Sequence, residues 1–263
     1  MPAILERIAV CTGAARREIA VRRRTGAAPG IFWLGGFMSD MNGTKAMALD
    51  EWAAMNGHAC VRFDYSGHGD SGRHLEDGTI SRWLEEAAAV FERCTEGPQI
   101  VVGSSMGGWL ALLLTEARRA EAGAASRIAG LVLIAPAVDM TQTLMWDRFS
   151  KAVRKEIETT GAYRQPNAYS DEPYLITRAL IEDGKRHLFG DRLIETGCPV
   201  HILQGIHDAD VPAAHASHLL THLASDDAVL TLVKDGDHRL SRADDLARLT
   251  AIVAAMIEEA GRS

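Results

Sequence analysis

The chain has 263 residues, 47% of them hydrophobic, which is enough to bury one large core, and residues 1–263 are expected to form a single domain. A formal net charge of -7 argues against nucleic acid as a partner, because phosphate contacts need a basic footprint. No stretch approaches the roughly twenty apolar residues of a membrane span, and Glu6 and Arg7 stand where a signal peptide would be apolar, so a cytoplasmic location without a membrane span is expected.

Along the chain, Ile19-Ala20-Val21 reads as a strand that runs through Arg22-Arg23-Arg24 and stops at the Thr25-Gly26 turn, so the arginines read as a solvated strand end. From Ile31 onward short apolar runs alternate with longer helical patterns. Strands are predicted at 31–34, 59–64, 99–103, 129–135, 200–204 and 229–233, with helices at 44–56, 80–94, 106–119, 212–224 and 242–259. That rhythm predicts an α/β fold with a mostly parallel central sheet flanked by helices.

One interval breaks the pattern. Residues 140–197 lack strand-like runs and mix charges with Trp146, Phe149, Tyr163, Tyr169, Tyr174 and Phe189, which reads as an inserted, mostly helical lid. Cys11, Cys60, Cys94 and Cys198 lie far apart and form no C-x-x-C pair, so reduced thiols are expected.

Gly103-Ser104-Ser105-Met106-Gly107 is a G-x-S-x-G sequence between an apolar run and a helical stretch. A serine at such a strained strand-to-helix turn is lifted out of the sheet, and the positions two before and two after it must be small. Its hydroxyl is a weak nucleophile, so it needs a base, and the base needs a third group to fix its tautomer. The chain order of such sites, Ser then acid then His, directs the search to the residues beyond the insertion. There Asp208 follows a strand in Gly205-Ile206-His207-Asp208-Ala209-Asp210-Val211-Pro212, with Asp210 as an alternative acid, and His238 follows the last strand. Two backbone N–H groups must receive the negative oxygen of a tetrahedral intermediate, and Met106 and Phe37, the latter just after Gly35-Gly36, are the expected donors.

Other groups are set aside. His215, His218 and His222 share one helix face, but further ligands are missing nearby in sequence, so no metal site is expected. His58, His68 and His74 precede the serine and are assigned structural or loop roles. The glycine-rich stretch Asp64 to Gly72 fits neither G-x-G-x-x-G nor a P-loop.

Asp64-x-x-Gly67-x-Gly69-x-Ser71, the elbow at Ser105, Asp208 and His238 together resemble the α/β-hydrolases over nearly the whole chain. More closely, Gly36 to Ala46, Phe63 to Gly67, Gly103 to Trp109 and Asp237-His238-Arg239 resemble the branch of mitochondrial palmitoyl-protein thioesterases and acyl-glucuronide esterases. The resemblance implies an α/β-hydrolase fold and a serine carboxylesterase or thioesterase, acting through an acyl-enzyme without cofactor. Its substrates would be small-molecule esters or acyl thioesters, acylated protein included. Met38, Trp109, Trp146 and Phe149 are the expected lining of an apolar acyl groove. A C–C bond hydrolase on the same scaffold and a non-catalytic small-molecule receptor are the rival readings.

Overall fold

The computed structural model describes residues 3–166, 173–224 and 227–262. In chain order its strands are β1 (Ile4–Val10), β2 (Arg17–Arg24), β3 (Ala27–Leu34), β4 (His58–Phe63), β5 (Gln99–Ser104), β6 (Ile128–Ile134), β7 (Ala162–Gln165), β8 (Tyr174–Thr177), β9 (Val200–Gly205) and β10 (Ala228–Val233). The helices are α1 (Thr44–Asn56), α2 (Ile80–Cys94), α3 (Met106–Ala122), α4 (Lys151–Thr160), α5 (Arg178–Gly184), α6 (Ala213–His222) and α7 (Ala243–Ala260). Among these residues eight strands form one sheet, ordered β1-β2-β4-β3-β5-β6-β9-β10. It is parallel from β4 to β10, and β2 and β1 add antiparallel at one edge.

The central strands are apolar on both faces because both are covered. On β3, Phe32 and Leu34 point into one buried cluster while Ile31 and Trp33 point into the other, as a period of two requires. The pattern repeats on β6, where Leu131 and Leu133 oppose Val132 and Ile134. The first cluster is closed by α2, α3 and α6 through residues such as Trp83, Trp109 and Leu219, and the second by α1 and α7 through Leu49, Leu249 and Val253.

One expectation about charge needs correction. Arg24 is not a solvated strand end: its guanidinium donates to both oxygens of Asp50, at 2.9 and 2.8 Å, and Arg62 reaches the same carboxylate at 3.4 Å. Burial opposes the charge of Asp50, yet the two arginines outweigh it and hold the carboxyl below its ordinary range. Glu6 and Arg7 lie in edge strand β1, Glu6 half-buried and Arg7 exposed.

The segment between β6 and β9 is less helical than expected. Around α4 and α5 it carries an antiparallel ribbon of β7 and β8, whose four-residue strands are too short to show alternation in sequence. α5 and the stretch that follows it are tied to the body. Asp183 accepts hydrogen bonds from the Ser81 N–H and hydroxyl, each at 2.8 Å, and Asp139 accepts the N–H groups of Phe189 and Gly190 at 2.9 and 2.8 Å. Tyr169 lies outside the described residues. No helix among those described is long and apolar enough to cross a membrane.

Candidate active site

Strand order reverses at β3: the chain moves from β3 outward to β4, then returns to β5 on the other side. At such a reversal the connections leave in opposite directions and open a crevice beyond the carboxyl ends of the strands. Leu34 pairs with Gly103 there, so the Gly35-Gly36-Phe37 loop and the Ser105 turn share the crevice by construction.

Ser105 has φ 53° and ψ -118°, in the left-handed half of backbone space, while Met106 begins α3 at once. From Gln99 to Thr115 every residue except Ser105 is buried, so the turn exposes one side chain. The glycines make it possible. A Cβ on Gly103 would lie 2.6 Å from the Gly107 carbonyl carbon, and one on Gly107 would lie 2.6 Å from the Gly35 oxygen. Because both obstacles are backbone, neither can move aside. Gly107→Ala is expected to destabilise the fold by about 3 kcal/mol or more, read from urea denaturation. A loss under about 1 kcal/mol would mean that the backbones do not approach so closely.

Sequence-distant residues converge on the serine. The Ser105 Oγ lies 3.2 Å from His238 Nε2, and His238 Nδ1 lies 2.8 Å from Asp208 Oδ2. The other oxygen of Asp208 accepts the N–H groups of Asp210 and Val211 at 3.0 and 2.8 Å, and Gln204 donates to Oδ2 at 3.1 Å. Asp208 is thus buried and saturated by donors, the environment that holds a carboxylate acceptor in place. With Asp208 accepting at Nδ1, the imidazole carries its proton there and leaves Nε2 free to accept from Ser105. Asp210 is exposed, and its backbone N–H donates to one oxygen of Asp208, whose other oxygen meets the His238 ring.

The two loops that carry Asp208 and His238 are stitched together, since the His207 N–H donates to the Gly236 carbonyl at 2.9 Å and the Ile206 N–H to the Val233 carbonyl at 2.9 Å. Lys45, in the first turn of α1, donates to the carbonyl of Arg239, the residue after His238. Gln204 and Lys45 were not singled out from sequence; a polar glutamine ending an apolar strand was the available signal for the first.

Phe37 and Met106 stand on the two sides of the crevice. Met106 opens α3, so its N–H has no acceptor within the helix, and among the described residues no acceptor takes the Phe37 N–H. Gly36 packs against the elbow, where an added Cβ would touch the Ser105 Cβ at 3.4 Å.

The glycine-rich stretch after β4 holds this loop. Asp64 accepts from the Met41 N–H at 2.6 Å and the Asp70 N–H at 2.7 Å, bridging both loops. His68 accepts the Met38 N–H at Nε2, 3.0 Å, and its Nδ1–H donates to the Ser66 carbonyl at 3.3 Å. Only a neutral imidazole can do both, and burial lowers its pKa to about 4. An unfolded-chain histidine near 6.5 takes its proton first as pH falls, so stability is intact above about 6.5 and lost progressively toward 4. Wild type should therefore lose roughly 2–3 kcal/mol more than His68→Gln between pH 7 and 4.5 in urea titrations. Equal losses would remove His68 as the source.

The expected groove residues separate. Met38 is half-buried with φ 56°, and Trp146 and Phe149 are half-buried in the segment after β6. Trp109 does not line a groove: it is fully buried in the core, its indole N–H donating to the His187 carbonyl at 3.3 Å, because α3 turns that face toward the body.

Residues 26–249 match the family model described as the alpha/beta hydrolase family. The chain belongs to the alpha/beta hydrolase family. It is 35% identical to a bovine protein named mitochondrial palmitoyl-protein thioesterase ABHD10, over 92% of this chain and 77% of the relative, and 33% identical to the human protein of that name over the same shares. Among solved structures, a putative hydrolase from Agrobacterium vitis S4 superposes with TM-score 0.94 at 48% identity, covering 98% of this chain and all of the other. Alpha/beta hydrolase domain-containing protein 10 from mouse superposes with TM-score 0.86 at 32% identity, over 97% and 99% of the two chains. The bovine, orangutan, human, mouse and rat relatives are all named mitochondrial, which overturns the cytoplasmic expectation. That expectation rested on Glu6 and Arg7, and a strand's charges carry no information about compartment.

Proposed function

We propose that this hydrolase cleaves acyl thioesters and carboxylic esters by a serine mechanism. The observation that carries the reading is the continuous line from Ser105 Oγ through the His238 ring to the buried Asp208. Ser105 attacks the acyl carbon as His238 Nε2 takes its proton, and the carbonyl π electrons move onto oxygen, where the Phe37 and Met106 N–H groups receive the charge. Collapse expels the thiolate or alkoxide, which His238 protonates. Water then repeats the sequence on the acyl-enzyme and returns the serine. The chain's own residues supply every proton transfer, so no cofactor enters the scheme.

Residues 140–197 are proposed to act as a lid on the one hydrolase domain. The turn that carries Trp146 and Phe149 supports this, because its Arg148 donates to the Asp210 carbonyl at 3.2 Å, beside the acid loop. Met38, Trp146 and Phe149 are proposed to contact the acyl chain. By likeness to relatives named palmitoyl-protein thioesterase, the substrate is a long-chain acyl thioester, on protein or on a small carrier, and activated esters such as acyl glucuronides would use the same chemistry.

Intact-mass measurement after fluorophosphonate treatment should show one adduct per chain, lost in Ser105→Ala, and acyl-thioester turnover should rise with acyl length. Absence of the adduct on the wild-type protein would favour a small-molecule receptor. An adduct with no ester or thioester turnover would favour C–C bond hydrolysis.

A further inference from the structure

We propose that Asp191, His218 and His222, none of them part of the Ser105–His238–Asp208 line, form a binding site for a divalent transition-metal cation of the zinc type. His218 and His222 are four residues apart on α6 and present neighbouring rings, with centroids 4.2 Å apart. The third donor comes from a different part of the chain: Asp191 Oδ1 lies 3.7 Å from His218 Nε2. One donor atom from each of the three residues lies within 4.8 Å of the others. Ligands about 2.0–2.1 Å from a tetrahedral zinc stand roughly 3.4 Å apart, so small rotations of exposed side chains would close the set.

Further observations separate this cluster from a chance grouping. His222 Nδ1 lies 2.9 Å from the His218 carbonyl oxygen, so it carries the ring proton and leaves the Nε2 lone pair for a metal. Metal-binding histidines use this arrangement to fix their tautomer. Asp191 is held on both sides, since Gly190 N–H is bound by Asp139 at 2.8 Å and Arg192 grips both oxygens of Glu116 at 2.7 Å. The Ile194 N–H donates to the His222 carbonyl at 2.8 Å, which locks this loop to the end of α6. Asp191, His218 and His222 also line a pocket of ≈ 120 Å³, with room for an ion and a water in the fourth position. The donor set of two imidazoles and one carboxylate suits zinc.

A bound ion would clasp α6 to the segment leaving the insertion. Since it binds the folded chain, it would raise the unfolding temperature. The test is calorimetric titration of the full chain with zinc chloride, paired with thermal unfolding in zinc or EDTA. Wild type, His222→Ala, Asp191→Asn and His238→Ala would be compared. Asp208, Asp210 and His238 form another cluster with donors within 4.8 Å, so the last variant reports on that location. One zinc per chain and a zinc-dependent rise in Tm are expected in wild type and His238→Ala. Affinity should fall at least about tenfold in the other two variants, with unfolding in EDTA unchanged. Absence of saturable binding, survival of full affinity in His222→Ala, or its loss in His238→Ala would each overturn the assignment. None of these readouts depends on hydrolysis, so the active-site reading and this one fail separately.

Discussion

Ser105→Ala is expected to lower kcat/KM for an acyl thioester by about 10⁵- to 10⁶-fold, a loss of roughly 7–8 kcal/mol of transition-state stabilisation. The size follows from the order of events. Without Oγ no acyl-enzyme forms, and what remains is whatever the Phe37 and Met106 donors and substrate binding do for direct attack by water. The fold should not notice. Ser105 is the one residue from Gln99 to Thr115 that is not buried, and alanine meets the same backbone geometry, so Tm should stay within about 2 °C. Single-turnover kinetics and a thermal scan on the same preparation check both halves. Retention of more than a few per cent of activity by a folded Ser105→Ala protein would sink the nucleophile assignment.

The proposed acid gives the second large effect, and it tests the preference for Asp208 over its neighbour Asp210. Asp208→Asn should lower kcat by about 10⁴-fold, whereas Asp210→Asn should stay within a few-fold of wild type. Both Asp208 oxygens face donors: Asp210 and Val211 N–H on one, Gln204 and His238 on the other. An asparagine must turn its NH₂ toward one of these sets. Facing His238, it forces the imidazole proton onto Nε2, the atom that has to accept from Ser105. Facing the loop, it sets donors against donors and disturbs the turn that positions the acid. The exposed Asp210 contributes its backbone N–H to this network, which asparagine keeps. Steady-state kinetics of the pair decides the matter, and a reversed order of effects would transfer the acid role to Asp210.

Much of this molecule could be read from local pattern. The buried strands are apolar on both faces, so they stand out as continuous runs, and α1 and α2 begin and end as their spacing predicts, at Thr44 and Asn56 and at Ile80 and Cys94. The G-x-S-x-G elbow was legible because its demand is local: a strained turn flanked by backbones in contact can be met only by glycine at Gly103 and Gly107. Chain order then narrowed acid and base to the loops after β9 and β10.

What stayed hidden depends on contacts between distant segments. The β7–β8 ribbon, with strands of four residues each, is too short to carry a period. Trp109 reads as a pocket aromatic beside the nucleophile, yet the rotation of α3 buries it beneath His187. His68 and Gln204 acquire their roles from partners reached across loops, and Asp191 lies beside His218 and His222 only after the segment leaving the insertion is anchored at Asp139. The residue sequence by itself determined the α/β layering and the strained serine turn, because steric and apolar periodicities act between near neighbours. The burial of Trp109 and the meeting of Asp191 with α6 were decided by tertiary structure alone, since each rests on a distance between groups that the chain brings together only by folding.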